Sequence, residues 1–240
     1  MKKYVLLFLV IFFTISCSKK TKKYESDNLK IYQISESVYV HTSYLSTKKY
    51  GKVACNGMIV YNKDEAIVFD TPTNNLASFE LIYWINNSLN AGVKYVIPTH
   101  FHIDCLGGLE TFQNKYIDCL VLDKTRELAN ISSAIYKSDT VLTVGSLKVS
   151  TSFFGKGHTS DNTVAYVHKD KVLFGGCLVK SLKASKGNLN DADTLAWSNT
   201  IQKIKNTYPK LSQVIPGHGE VGDSALLDYT IELFKTERNE

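Results

Sequence analysis

Apolar and polar side chains alternate along several stretches of the chain, and this alternation predicts β-strands. In residues 29–44, LKIYQISESVYVHTSY, it places Val38 and Val40 on one face and Tyr39 and His41 on the other. A side-chain period of two is typical of a strand in a sheet. The fold is therefore expected to begin with strands.

Two later stretches predict further strands, and a polar stretch separates them from the first. Residues 58–70, MIVYNKDEAIVFD, predict two strands around a turn at 62–64, and residues 93–100, VKYVIPTH, predict a buried strand. The polar, glycine-containing stretch from Ser46 to Gly57 predicts a loop.

Apolar residues at helical spacing predict helices between and after these strands. The first such segment, LASFELIYWINNSLNAG, stops at Gly92, as helices commonly do. The predicted helices span residues 76–92, 124–136, 192–207 and 225–236. Strands thus alternate with helices, which indicates an α/β fold.

An internal repeat suggests that the fold has two similar halves. Residues 60–71, VYNKDEAIVFDT, and 166–177, YVHKDKVLFGGC, share a strand–turn–strand pattern with Lys-Asp at the turn. Two β-rich halves flanked by helices would form a four-layer αββα sandwich. The length of 240 residues with 44% apolar content is enough for a substantial core, and we assign residues 30–240 to this domain.

The first 29 residues predict an export signal and a tether. Residues 1–17 combine a cationic start, an apolar run too short to span a bilayer and a small residue before Cys17, and so resemble the cleavage site of a bacterial lipoprotein. The alternative is an ordinary signal peptide cut near Ser16. Residues 18–29 would be a polar tether whose lysines favour anionic headgroups. We expect a periplasmic protein attached to the bacterial membrane through a lipid on Cys17.

The charge distribution argues against nucleic-acid binding. The formal net charge is +5, but six lysines precede the first acidic residue, Glu25, and the remaining basic residues nearly balance the 23 acidic ones. A nucleic-acid-binding protein would carry a basic patch within its folded domain. We therefore expect no nucleic-acid partner, and we expect the chain to be a monomer.

The cysteines beyond Cys17 lack the dense, regular spacing of a disulfide scaffold. Export would place Cys55, Cys105, Cys119 and Cys177 in an oxidising compartment, where disulfides are possible. A domain of this size does not need them, so at least one of these thiols is expected to have another role.

The segment THFHIDCLGG, residues 99–108, concentrates three groups that bind metal ions. In an extended chain His100, His102 and Asp104 would project to the same side, and imidazole and carboxylate are good zinc ligands. The alternative is that these residues cap the following helix and form local hydrogen bonds. Three ligand-type residues within five positions favour a metal site.

Further ligand candidates lie beside glycines, which let the backbone turn tightly towards a shared centre. His158 stands in GKGHTSDN, His218 in IPGHGE and Cys177 in FGGCLVKS. His41 and His168 lack such neighbours, and we assign them structural or surface roles.

Together these motifs resemble the metallo-β-lactamase family. The resemblance rests on His-x-His-x-Asp, Gly-His-Thr, Gly-Cys-x-x-Lys-Ser and Pro-Gly-His-Gly, and extends from about residue 30 to about residue 235. It includes FDTP at 69–72 and KGNLNDAD at 186–193. The cysteine indicates the broad-spectrum, di-zinc subclass.

The resemblance implies a zinc-dependent β-lactamase that confers antibiotic resistance through a metal-bound hydroxide, which can form near pH ~7. Two zinc ions per chain are expected. Their implied ligands are His100, His102 and His158 for one ion and Asp104, Cys177 and His218 for the other. Asp104 would also orient the nucleophile.

The resemblance also implies how substrates bind. Lys180 would meet the carboxylate of penicillins, cephalosporins and, we expect, carbapenems, and Asn188 would lie near the β-lactam carbonyl. For Lys180 the alternative is a solvated surface lysine, and for Asn188 a simple turn. The loop at 46–57 would form a flap with Tyr44 and Leu45 at its root.

The chain departs from the family at Cys105, where arginine is frequent, and at LND, residues 189–191, where Leu-Gly-Asp is frequent. Since neighbours in an extended chain point to opposite faces, we expect Cys105 to face away from the metals and to support the ligands. Two alternative functions stay open: another hydrolase of this fold, of the thioesterase or phosphodiesterase type, and a non-catalytic zinc-binding lipoprotein.

Overall fold

Two β-sheets lie face to face at the centre of the fold. The computed structural model describes residues 23–235. The strands of the first sheet follow chain order and are β1 (Lys23–Glu25), β2 (Leu29–Gln33), β3 (Val38–Thr47), β4 (Gly51–Asn62), β5 (Glu65–Phe69), β6 (Gly92–Ile97), β7 (Asp118–Leu122) and β8 (Ala134–Tyr136). The strands of the second sheet, from one edge to the other, are β13 (Gln213–Pro216), β12 (Val172–Gly176), β11 (Val164–Val167), β10 (Leu147–Ser152) and β9 (Thr140–Val144).

Helices cover the outer faces of both sheets, which completes the predicted αββα sandwich. They are α1 (Asn75–Trp84), which continues as a π-helical turn at Ile85–Leu89, then α2 (Ile103–Leu106), α3 (Leu109–Asn114), α4 (Asp123–Ala129), α5 (Thr194–Thr207) and α6 (Ala225–Leu233). Within residues 23–235, no helix is both long and apolar enough to cross a membrane.

Alternation along the strands divides the core into layers. In β5, Val68 packs towards α1, whereas Ile67 and Phe69 pack between the sheets. In β12, Phe174 lies between the sheets, and Leu173 packs towards the helices of the second half. Because successive side chains point to opposite faces, a strand that is apolar at every position is buried on both sides. This explains the continuous apolar runs in the sequence.

The repeated strand–turn–strand pattern is confirmed in both sheets. β4 and β5 form an antiparallel hairpin in the first sheet, and β11 and β12 form one in the second. In the first turn the lysine of the repeated Lys-Asp, Lys63, takes a positive φ of 58°, whereas in the second turn the positive φ, of 54°, is at Lys171, two residues after the corresponding Lys169. The predicted strand over residues 93–100 is also present as β6, which ends just before the ligand segment.

The loop predicted from Ser46 to Gly57 is wrong, because most of these residues are strand. β3 continues to Thr47 and pairs with β4 from Gly51 onwards, so the segment is a long hairpin with its tip at residues 48–50. Its outer part projects beyond the core, and its side chains therefore need not be apolar. The polar composition concealed the strand pairing.

Two predicted helices are shorter than expected. Helix 124–136 ends at Ala129, where Asn130 takes a left-handed conformation with φ of 50°, and the chain then forms β8. Helix 76–92 likewise ends before Asn90, which has φ of 52°, and Gly92 already belongs to β6. Asparagine adopts this conformation more readily than most residues and so ends helices as glycine does.

The other two predicted helices need small corrections. Helix 192–207 begins at Thr194, because the side chain of Asp193 accepts a hydrogen bond from the Ala196 amide and caps the helix. Helix 225–236 ends at Leu233, and its predicted last residue lies outside the described range.

The folded domain starts before residue 30, which shortens the predicted tether at 18–29. Strand β1 pairs with β2, and the hydroxyl of Tyr24 donates a hydrogen bond to Glu80 of α1 at 3.0 Å. The predicted signal peptide, residues 1–17, and the anchor position Cys17 lie outside the described residues.

Candidate metal centre

The candidate ligands come together at the ends of strands from both sheets. His100, His102 and Asp104 follow β6 of the first sheet, whereas the other three residues follow β10, β12 and β13 of the second. They form two groups in which one ligand atom from each residue lies within 4.8 Å of the others, His100–His102–His158 and Asp104–Cys177–His218. The sequence segments that carried the predicted ligands therefore converge.

The predicted extended conformation of the ligand segment is wrong. The chain bends after β6, and Asp104 lies on the short helix α2, whose first residue is Ile103. His102 occupies the position before this helix, but its side chain makes no capping hydrogen bond. His102 therefore does not cap the helix through its side chain, which was the alternative to metal binding. Its ring is directed to the other histidines.

In the three-histidine group, the hydrogen bonds leave nitrogen lone pairs free. His102 Nε2 lies 2.9 Å from a carboxylate oxygen of Asp191. A carboxylate only accepts, so Nε2 carries the hydrogen and Nδ1 keeps its lone pair. That Nδ1 faces His158 Nε2 at 3.2 Å, and the buried Nε2 of His100 has no hydrogen-bond partner among the described residues. Such unpaired imidazole nitrogens are suited to a shared cation.

The second group combines an imidazole, a thiol and a carboxylate. Cys177 Sγ lies 3.2 Å from Asp104 Oδ2 and 3.3 Å from His218 Nε2. His218 Nδ1 lies 2.8 Å from the carbonyl oxygen of Ala54 on β4, so it donates there and Nε2 faces the group.

The pKa values of this group favour its negatively charged ligands. A hydrogen bond to Cys105 lowers the pKa of the Cys177 thiol to about 7, against the effect of burial. Burial raises the pKa of Asp104, but the hydrogen bond to His218 and the nearby His100 outweigh burial and hold it well below its usual value. Both residues are thus poised as anionic ligands near neutral pH.

Cys105 does not face away from the site. It is buried, and its Sγ lies 3.1 Å from His100 Nδ1 and 3.7 Å from the Thr99 hydroxyl. Helix α2 turns it back against the ligands, so the argument from an extended chain was wrong. Its contacts are with the side chains of His100 and Cys177, and its thiol also lies within 4.8 Å of ligand atoms of His100 and Asp104.

The sequence analysis assigned no role to two aspartates of the site, although Asp70 lies in FDTP and Asp191 in KGNLNDAD. Asp191 contacts His102, as described above. Asp70, buried with φ of 58°, accepts hydrogen bonds from the amide of Thr99 at 2.6 Å and from its hydroxyl at 3.0 Å. Asp70 thereby fixes the residue before the first histidine. Single aspartates after a strand or in a turn are common, and only their distant partners distinguish these two.

The two remaining histidines, His41 and His168, have the structural and surface roles that were predicted. His41 is buried, and its Nε2 lies 3.0 Å from the carbonyl oxygen of Asp70. Gly57 makes room for it, because a Cβ at that position would lie 2.1 Å from its ring. His168 is exposed and lies 2.7 Å from the hydroxyl of Ser150. Neither belongs to the ligand groups.

A cleft of about 750 Å³ opens over both ligand groups. The hairpin formed by β3 and β4, which we call the flap hairpin, contributes Lys48, Lys49 and Tyr50 to one wall of the cleft, and the segment after β12 contributes Lys180 and Asn188 to the other.

Lys180 is half-buried, with its Nζ 5.1 Å from the ring centre of Trp197, and burial lowers its pKa. Asn188 is exposed, and its side-chain oxygen accepts a long hydrogen bond from the Asn190 amide at 3.4 Å.

Comparison with known proteins gives matches over nearly the whole chain. The family model of the metallo-beta-lactamase superfamily matches residues 50–218. A metallo-beta-lactamase type 2 of Bacteroides fragilis is 33% identical over 97% of this chain and 96% of its own length, and one of Bacillus cereus is 35% identical over 90% and 86%. The solved structure of a metallo-beta-lactamase from Pontibacter korlensis, 37% identical, superposes with a TM-score of 0.82 and covers 89% of this chain and all of its own.

Proposed function

The chain belongs to the metallo-β-lactamase superfamily, and we propose that it opens the ring amide of penicillins, cephalosporins and carbapenems with two zinc ions. Full-length relatives named metallo-β-lactamases make β-lactam hydrolysis, and hence antibiotic resistance, its activity class. The substrate range, the number of ions and the residue roles are the parts that we propose. The observation that carries them is the pair of ligand groups beneath one cleft.

The donor chemistry of the two groups is suited to zinc. Three imidazoles form one group, and a carboxylate, a thiol and an imidazole form the other. Zinc takes nitrogen, sulfur and oxygen ligands of these kinds, whereas magnesium and calcium prefer oxygen. The buried Nε2 of His100, which has no hydrogen-bond partner among the described residues, supports this assignment, because buried polar atoms without partners are rare in a folded protein. Bound zinc supplies Lewis acidity and lowers the pKa of a coordinated water to about 7.

The chain's own residues orient the reacting groups. Asp104 lies between the two ligand groups, 3.6 Å from His100 Nε2 and 3.4 Å from His218 Nε2. A carboxylate at this point can accept a hydrogen bond from the attacking water and fix its direction. Asp191 and Ala54 hold the rings of His102 and His218 in one tautomer.

Lys180 and Asn188 are the proposed substrate-binding residues. Lys180 provides a cation on the cleft wall, and its partial burial strengthens an ion pair with the carboxylate of a β-lactam. Asn188 lies on the same wall with its amide available to a carbonyl oxygen. The flap hairpin would cover the bound substrate from the opposite side.

We assign the enzyme to the periplasm, with a lipid on Cys17 as its anchor. The support is the pattern of residues 1–17. Replacing Cys17 with Ser should move the enzyme from the membrane fraction to the soluble fraction while its activity stays unchanged. A wild-type enzyme found free of the membrane would contradict the anchor.

Hydrolysis assays with and without a chelator test the proposed activity. The full chain should hydrolyse a penicillin and a carbapenem, lose activity in the chelator and regain it when zinc is added. Hydrolysis of a thioester or phosphodiester in place of the β-lactams would favour another hydrolase of this fold. Zinc binding without any hydrolysis would instead indicate a binding protein. Metal analysis should give two zinc ions per active chain.

A further inference from the structure

The outward face of α1 carries an apolar stripe. Leu76, Phe79 and Tyr83 are 59%, 49% and 61% exposed, and their spacing of three and four residues aligns them along one side of the helix. The opposite side, with Leu81, packs in the core. A surface helix normally carries polar residues on its outward side. The stripe is therefore a candidate contact surface.

The surroundings of the stripe are aromatic and cationic. The rings of Phe79 and Tyr83 stack with centroids 6.5 Å apart, and the Nζ of Lys115 lies 5.4 Å from the ring centre of Phe79. Tyr116, the next residue, is 97% exposed. Tyrosine and lysine combine an apolar body with a polar end, which is the composition of surfaces that lie at the level of lipid headgroups.

The first described residues of the chain lie beside α1. Tyr24 and Ser26, which flank the end of β1, both donate hydrogen bonds to Glu80 of α1, at 3.0 Å and 2.6 Å. Glu80 directly follows Phe79 in the stripe. Cys17 precedes Lys23 by six residues, and a fully extended chain of that length reaches only ~20 Å. A lipid on Cys17 would therefore hold the membrane near α1.

We propose that the stripe of α1 docks on the anionic phospholipid surface to which Cys17 anchors the chain. The inference rests on the proposed lipid anchor and adds an orientation to it. Four lysines between Cys17 and Tyr24 attract anionic headgroups, and the exposed apolar side chains enter the headgroup region. The contact of the apolar stripe with the membrane is weak by itself, but the lipid on Cys17 makes this contact intramolecular and thereby favours it.

A matched pair of cysteine variants tests the orientation. Tyr83 lies on α1, and Leu195, which is 75% exposed, lies on α5 in the opposite outer layer. The full lipidated chain carrying Tyr83→Cys or Leu195→Cys is reconstituted into phosphatidylethanolamine–phosphatidylglycerol vesicles and treated with a charged, membrane-impermeant maleimide. The native thiols at 55, 105, 119 and 177 are buried, and the wild-type chain gives their background labelling.

Tyr83→Cys should react about tenfold more slowly than Leu195→Cys, because a docked side chain is shielded from a charged reagent in water. Adding Leu76→Ser and Phe79→Ser to Tyr83→Cys should restore rapid labelling, since both positions are exposed and their replacement removes only the docking surface. Hydrolysis of a penicillin should be unchanged in all variants, which verifies folding.

The possible failures are distinguishable. Equal labelling at both positions, in a chain that incorporates radiolabelled fatty acid, overturns the docking and leaves the anchor intact. A chain without fatty acid that stays off the vesicles overturns both. Protection of Tyr83→Cys that decreases as the chains are diluted among more vesicles would identify a second copy on this face and would also overturn the proposal.

Discussion

Cys177 and Cys105 lie close together but should differ in their importance for zinc. Cys177→Ser replaces the thiolate of the second group by a poor hydroxyl donor, and we expect zinc affinity there to fall by more than the ~10–100-fold typical of losing a residue that only supports a ligand. Cys105→Ser keeps a hydrogen-bond donor beside Cys177 and should leave activity largely intact. Zinc titration of both variants checks this, and equal loss of a metal in both would show that Cys105 is itself a ligand.

Asp191 should control the three-histidine group through His102. Asp191→Ala removes the acceptor 2.9 Å from Nε2, so the ring can adopt the tautomer whose Nδ1 no longer binds metal. We expect zinc affinity at this group to fall by roughly 10–100-fold. Asn190→Ala, a neighbouring change in the cleft wall, is the control. If both variants bind zinc equally well, the contact does not orient the ring.

His41 should make stability depend on pH. Burial lowers its pKa from 6.5 to about 4, so between these values the unfolded chain binds more protons than the folded one. Its stabilising effect is complete above pH 6.5 and is lost as the pH falls towards 4, by about 3 kcal/mol in total. Denaturant unfolding of zinc-free protein should show this decline. His41→Gln should make the decline smaller, whereas His168→Gln, at an exposed position, should not.

The candidate ligands could be selected from the sequence where residues of ligand type are closely spaced or stand beside glycines. The proposed ligand histidines and Cys177 stand in tight spacings or beside glycines, and such turns can direct a side chain to a shared centre. Asp191 reaches a partner 89 residues away, and nothing local in the sequence records that contact. Cys105 was placed on the wrong side because four residues of helix reverse the geometry of an extended chain.

At the scale of elements, strands inside the core were predictable, and the flap hairpin was not. Burial imposes an apolar pattern on β5 and β12, but the outer ends of β3 and β4 project into solvent, where pairing depends on backbone hydrogen bonds that any side chain permits. Helix ends at Asn90 and Asn130 were missed for a related reason, because a left-handed asparagine is not distinguishable from a helical one by periodicity.

The flap hairpin should contribute to substrate binding and not to metal binding. Replacing its tip, residues 48–50, by Asn-Gly preserves a tight hairpin turn but removes three side chains from the cleft. We expect KM for a penicillin to rise about tenfold, a loss of about 1.4 kcal/mol of binding, with zinc affinity unchanged. Steady-state kinetics and zinc titration check this. An unchanged KM would show that the flap does not contact the substrate.

At the scale of the whole molecule, the two halves were recognisable from their repeated hairpins, but their mutual orientation was not. The packing of one sheet on the other depends on residues such as Phe69 and Phe174, whose ring centres lie 6.5 Å apart although they are far apart in sequence. In the sequence, only the predicted metal site bore on this mutual orientation. Ligands from both halves can bind the same ions only if the strand ends that carry them lie together.

That convergence means that zinc should hold the two halves together. His100, His102 and Asp104 come from the first sheet, while His158 and Cys177 come from the second, so each ligand group joins both. An ion that binds only the folded state stabilises it by about 4 kcal/mol when its free concentration is a thousandfold above Kd. Chelation should therefore lower Tm by several degrees, and added zinc should restore it. Cys177→Ser should respond less, since its second group is already impaired. A Tm that is the same with and without chelator would mean that the halves pack equally well without the metal, and that the ligands are preorganised by the sandwich.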